Sequence, residues 1–180
     1  MTERSQIIHF RVSEGLINAV SAGFFLLLAG VLFVITPGLF QGIVDFFTGF
    51  TLKSIPHLSN VLVPVPENLA QHTVVYTAAG QFSLVWGIFQ IIILALRFVV
   101  GSSIGKKAET VGNVISSLGT AYLIDVLLNS DSLSSANPNA LENWFVFWAA
   151  LIMLIGVSLI VRAFILAAHF WFSSHFSNKT

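Results

Sequence analysis

The sequence predicts an all-α transmembrane bundle of four helices, with an interfacial amphipathic helix in the first outer loop. Three observations carry this. Of 180 residues, 56% are hydrophobic and only 9% charged, against about 25% charged in soluble domains. Four runs are long and apolar enough to cross a hydrocarbon core, which takes roughly 20 helical residues for about 30 Å. Lys and Arg collect on one side of those runs. A water-soluble chain of this length could not hide so much apolar surface, because most of a small domain is surface. Lipid is therefore the expected partner, and residues 1–180 are read as one membrane domain.

The first run, Gly15 to Ile35, carries no charge and stops at Thr36-Pro37-Gly38. At 21 residues it is longer than a signal-peptide core and lacks a small-residue cleavage site, so it is read as a retained helix. The second run, from Val74, is uncharged to Leu96, and a helix over about 74–100 is expected. The third is the weakest. Only Thr110 to Ile124 is charge-free, and the span needs Asp125 to Leu128 to cross, giving about 110–128. The fourth runs from Trp144 past Arg162 to Phe172. Its two tryptophans, Trp144 and Trp171, are 27 residues apart, about 40 Å of helix, which suits aromatic anchors in opposite leaflets. Arg162 then falls about 13 Å inward of Trp171, near the inner edge of the hydrocarbon.

Orientation follows from the cations. Arg4, Arg11, Arg97, Lys106, Lys107, Arg162 and Lys179 lie on one side and Lys53 on the other. Both termini and the middle loop are therefore expected in the cytoplasm, in a multi-pass plasma-membrane protein. Asn178-Lys179-Thr180 matches a glycosylation acceptor that this orientation leaves unused. In the first outer segment, Leu39, Phe40, Ile43, Phe46, Phe47 and Phe50 recur at helical spacing, with Gln41, Asp45 and Thr48 opposite. That pattern predicts an interfacial helix over about 38–50. The stretch with Pro56, Pro64 and Pro66 is expected to be extended, and Pro66-Glu67 suits an early helix start. The second outer loop, Asn129 to Asn143, is rich in Ser and Asn and shows no chemistry.

The second span holds the most informative pattern. Gly80, Ser83, Gly87, Gln90, Leu94, Arg97 and Gly101 follow at steps of three and four, so they share one face. Such a face is either a packing seam, where glycines admit a neighbour and Gln90 bonds across, or the lining of a solute or ion path. Gly15, Ala19 and Gly23 on the first span, and Gly112, Ser116, Gly119 and Thr120 on the third, read as packing ridges. Ser158, Arg162, Ile165 and His169 form a similar stripe on the fourth. Glu14, Arg97 and Arg162 share the inner boundary. They form either an ion-pair cluster or, for the arginines, chains that snorkel to headgroups. Asp125 stands alone near the outer end, as an interfacial residue or a proton- or cation-linked one.

Much is excluded. Zero net charge gives no argument for nucleic acid. The absence of cysteine removes disulfides, thiolate metal sites and cysteine nucleophiles. His57 and His72 lie outside, and His9, His169 and His175 inside, so no histidine pair meets at mid-membrane and no metal site is expected. HExxH, GxSxG and Walker motifs are missing, and no cofactor is expected.

Three stretches carry a resemblance. They are Arg11-Val12-Ser13-Glu14-Gly15-Leu16, then Gln81-Phe82-Ser83-Leu84-Val85-Trp86-Gly87-Ile88-Phe89-Gln90 on to Arg97-Phe98, and Lys106-Lys107-Ala108-Glu109-Thr110. Together they resemble a family of small uncharacterised archaeal membrane proteins with four predicted helices, over most of the chain outside the outer loops. The resemblance implies an archaeal plasma membrane and no particular activity. The resulting expectation is a non-enzymatic structural or accessory subunit, in a homo-oligomer or larger membrane complex. The alternative is an oligomeric transporter or channel lined by the Ser83–Gln90–Arg97 face. A membrane enzyme using Glu14 or Asp125 is the third reading.

Overall fold

The computed structural model describes residues 3–55 and 58–177, with side chains described over 14–55 and 60–172. The side chains of Arg4, His9, Arg11 and His175 lie outside that range, as do Pro56, His57 and the Asn178–Thr180 acceptor. In order come α1 (Glu3–Ile35), α2 (Leu39–Thr48), β1 (Phe50–Ile55), β2 (Leu58–Pro66), a 3-10 turn (Leu69–His72), α3 (Thr73–Val99), α4 (Ile104–Leu127) and α5 (Ala140–Ser177). Four of these helices, α1, α3, α4 and α5, are long and apolar enough to cross a membrane.

The helix ends have local causes. Pro37 cannot continue α1, and Gly38 takes the left-handed conformation that turns the chain into α2 (φ 73°). Gly101 does the same after α3 (φ 74°), where Ser102 N donates to Arg97 O. The third span starts at Ile104, ahead of the expected Thr110. Lys106, Lys107, Ala108 and Glu109 are good helix formers, and Lys106 pairs with Glu109 one turn on at 3.0 Å. The charges that seemed to mark a loop are thus the first turns of α4.

The all-α expectation is corrected by a small antiparallel hairpin. β1 pairs with β2 from Phe50↔Pro66 through Thr51↔Val65 to Ile55↔Leu58. Val61, Val63 and Val65 recur with period two, which is strand spacing. Pro64 and Pro66 share a parity, so neither need supply a ladder donor in a two-stranded ribbon. Val65 is fully buried and drives the hairpin onto the bundle, beside Leu69, Tyr76, Ile124, Leu128, Leu133, Trp144 and Phe147. This core closes the end of the molecule that carries Lys53, whose Nζ donates to Glu67 O at 2.9 Å. The Ser- and Asn-rich loop joins it through buried Leu133. Its polar residues stitch the backbone: Asn129 Oδ1 accepts from Ser132 N (2.7 Å), and Ser132 O accepts from Asn137 Nδ2 (2.9 Å).

The α2 helix forms close to its expected span. It is also held by protein: Leu39 is buried with Leu28, Leu32 and Ala78, and Ile43 packs against them. A Cβ on Gly42 would come within 2.8 Å of Val74, so glycine there lets α2 lie against the start of α3. Phe40 and Phe47 remain exposed, as does the Gln41–Asp45 pair on the polar side (2.7 Å).

Two kinds of joint hold the long helices. Along α3–α4–α5 the joints are glycine contacts. A Cβ on Gly87 would lie 2.5 Å from Leu118 Cδ2, one on Gly80 3.1 Å from Ile124, and one on Gly119 2.5 Å from Leu154. Small residues let helices approach where lipid supplies no hydrophobic drive. Between α1 and α3 the joint is aromatic. Phe24 stacks on Phe89 with centroids 3.9 Å apart, and Phe25 meets Phe82 and Trp86 edge-on at 5.2 and 5.4 Å.

The contrast is testable by overpacking. Gly87→Val should destabilise the protein by about 1–3 kcal/mol, read by denaturation in detergent micelles. Gly156→Val on α5, where a Cβ meets nothing within 4 Å, should stay within about 0.5 kcal/mol of wild type. Equal effects at the two positions would rule out the seam.

Candidate functional site

The ends of α3 and α4 meet at a tight turn, and this sets Arg97 opposite the first turns of α4. Arg97 is buried, with 6% of its surface exposed. Its guanidinium donates to Lys106 O at 2.6 Å, to Thr110 Oγ1, and to Asn18 Oδ1 of α1 at 3.2 Å. Thr110 Oγ1 itself donates to Lys106 O (2.8 Å), so the three groups form a closed triangle of polar contacts. Arg97 Nε–H has no acceptor.

One turn further along α4, Arg162 of α5 arrives from the other side. It donates to Asn113 Oδ1 at 2.6 Å. Ser158, one turn earlier on α5, is buried and donates to Gly112 O at 2.9 Å. A side chain on Gly112 would overlap the Arg162 guanidinium, so glycine is what admits the arginine. Helix α4 therefore presents a polar face between two arginines, with Thr110 and Asn113 at one-turn spacing.

The expected ion-pair cluster is not formed. Among the described residues the single ion pair is Lys106–Glu109. Both carboxylate oxygens of Glu14 are buried and accept no hydrogen bond from the described residues. Neutral amide, hydroxyl and carbonyl oxygens have taken the place that Glu14 was expected to fill. These oxygens lie on α1 and α4 within the guanidinium's short reach, one turn inward of Glu14 in the case of Asn18. Snorkelling does not describe Arg97 either, because its fork is turned into the bundle.

The glycine-and-polar face of α3 divides along its length. Gly80 and Gly87 press on α4. Gln90 (5% exposed) and Arg97 line a cavity of about 480 Å³ between α1, α3 and α4. Ser83 is half-buried and contributes to neither the cavity nor the arginine contacts. The cavity exists because the aromatic joint keeps α1 at ring distance while α3 and α4 close on each other. Asn18, Thr110 and Asn113 complete its polar wall, and Phe25, Leu26 and Trp86 its apolar wall.

Asp125 is not part of this site. It lies about 22 Å along α4 from Thr110, exposed, on a second cavity of about 600 Å³ with Gly80, Gln81 and Tyr122. Its backbone carbonyl accepts from Asn129 Nδ2 (2.8 Å), and its carboxylate has no partner among the described residues. Among the described residues, no three His, Asp or Glu side chains gather as metal ligands would.

Sequence reasoning missed Asn18, Thr110 and Asn113. A polar residue on each neighbouring span at the depth of Arg97 was the available signal. No protein-family model, curated protein or solved structure matches the chain.

The acceptors around Arg97 predict a stability effect. Thr110→Val leaves a buried guanidinium short of an acceptor and should cost about 1–3 kcal/mol, measured by denaturation in micelles. Asn18→Leu should cost less, because Asn18 is exposed. A Thr110→Val protein as stable as wild type would show that Arg97 does not depend on that hydroxyl.

Proposed function

We propose that this chain is a non-enzymatic accessory or structural subunit of a membrane, working in a homo-oligomer or larger membrane complex. The observation that carries this reading is the unequal use of glycine. On α3 and α4, Gly80, Gly87, Gly112 and Gly119 are all met by a neighbouring side chain. On α1, Gly15, Gly23 and Gly30 meet nothing within 4 Å, and Ala19 between them is exposed. Lipid chains gain little from such a ridge, whereas a second helix gains close approach. Helix α1 is thus the element offered to another copy or another membrane chain.

The setting in this reading is a plasma membrane, with both termini and the α3–α4 turn cytoplasmic. Its support is the cation bias: Arg97, Lys106, Lys107 and Arg162 collect at one end of the bundle and Lys53 at the other. The α2 helix, with Phe40 and Phe47 exposed beside its polar face, is assigned to the outer interface. The archaeal setting rests on the resemblance of the Arg11–Leu16, Gln81–Phe98 and Lys106–Thr110 stretches. The transporter or channel alternative draws its support from the cavity at Gln90 and Arg97, and would need several copies to enclose a path.

The chain has no cysteine, so single-cysteine variants report without background. Gly23→Cys should form an oxidised dimer in native membranes, while Ile152→Cys, exposed on α5, should not. A monomeric Gly23→Cys with no co-purifying chain would refute the reading. For the alternative, liposome flux that Gln90→Leu abolishes while assembly is intact is the required result.

A further inference from the structure

We infer that the cavity between α1, α3 and α4 is a binding site for an anionic phospholipid, with the phosphate on Arg97 and a hydrocarbon chain along Phe25, Leu26 and Trp86. Charge is the first ground. Arg97 brings a positive charge into the bundle, and its acceptors among the described residues are neutral. The carboxylate on the cavity wall, Glu109, is exposed and bonded to Lys106 Nζ at 3.0 Å. A buried cation without a counter-charge is unfavourable in a low-dielectric site, and an anion entering the cavity supplies the missing charge. The unused donors are the second ground. Arg97 Nε–H has no acceptor although the residue is over nine-tenths buried. Guanidinium donors match phosphate oxygens in geometry and charge.

Shape and access argue for an amphiphile. One wall carries Arg97, Thr110 and Asn113, and the other carries Phe25, Leu26 and Trp86. Phe25 and Leu26 line the cavity and remain exposed (44% and 70%), so its apolar side is open to the hydrocarbon chains of the surrounding lipid. A basic pocket between spanning helices at the cationic end of a bundle is the arrangement that holds anionic headgroups. A free phosphate ion would satisfy Arg97 equally but leave the apolar wall unused.

The test titrates purified protein in detergent with phosphatidylglycerol, with phosphatidylcholine of identical chains, and with sodium phosphate. Bound lipid is counted by native mass spectrometry, and thermal stability is followed in parallel. Phosphatidylglycerol should bind roughly tenfold or more tightly than phosphatidylcholine, and Arg97→Gln should abolish that preference. Ala22→Trp, at a further residue of the cavity wall, fills the cavity while retaining the Arg97 guanidinium, and should weaken phosphatidylglycerol binding roughly tenfold at unchanged helical content. It carries the test if Arg97→Gln does not fold. Lys107→Gln, at a cation stacked over Phe98 and off the cavity wall, should keep the preference. Equal binding of the two lipids overturns the inference, as does a preference that Lys107→Gln removes as fully as Arg97→Gln. Stabilisation by sodium phosphate equal to that by phosphatidylglycerol, with Ala22→Trp binding lipid normally, overturns the amphiphile in favour of a free anion.

Discussion

Close approach of α3 and α5 to α4 is the constraint on which the rest of this molecule depends. In lipid there is no hydrophobic drive between helices, so contact distance and polar bonds decide which helices associate. Gly87 admits Leu118, Gly119 admits Leu154, and Gly112 admits the Arg162 guanidinium. The approach at Gly112 also brings Ser158 within reach of a main-chain carbonyl, 2.9 Å away. Helix α4 is the least apolar of the four spans, and α3 and α5 close on it from two sides. Two of its polar side chains, Thr110 and Asn113, accept from arginines of its neighbours instead of facing lipid, where each would cost free energy.

The aromatic joint to α1 has the opposite consequence. Rings cannot close to glycine distances, so Phe24, Phe25, Trp86 and Phe89 hold α1 at arm's length. Below them the gap becomes a cavity, and Asn18 reaches across it to Arg97 at 3.2 Å. The glycines of α1 lie on a different face from its buried residues Ile17, Leu28 and Leu32, so this chain leaves that ridge unused whatever the spacing to α3. At the opposite end of the bundle, Val65, Trp144 and Leu133 close the structure with apolar packing, and a polar cavity of about 660 Å³ with Lys53, Glu67, Asn68 and Asn137 on its wall lies beside that core.

Much of the fold is legible in the residue order, for a simple reason. A span must satisfy its backbone internally and present apolar side chains, so length and charge reveal it. Helix α1 begins at Glu3, ahead of the expected Gly15, but its end, the extent of α3 and the existence of α2 follow from that rule, together with Pro37 and Gly101 as stops. The start of α4 does not, because Lys106 and Glu109 look like a loop until their pairing is seen. The hairpin does not either. Pro64 and Pro66 argue against a strand except in a two-stranded ribbon, and the register that permits them exists only once Val65 has a core to enter. At the site, Gln90 and Arg97 stand out because polar groups are rare in such runs. Their partners Asn18, Thr110 and Asn113 do not, since a lone Asn or Thr in a span carries no mark of what it faces.

The sequence by itself determined that the chain offers four apolar spans, where most of them stop, and that one end of them is cationic. Those properties are local, set by side-chain transfer energies and by proline and glycine backbone preferences. Only the tertiary structure decided that Arg97 takes neutral oxygens in place of Glu14, that Asp125 stands apart, and that α1 stays at ring distance while α3, α4 and α5 close up. Each of these depends on which atoms of distant segments come within a few ångströms, and no single segment carries that information.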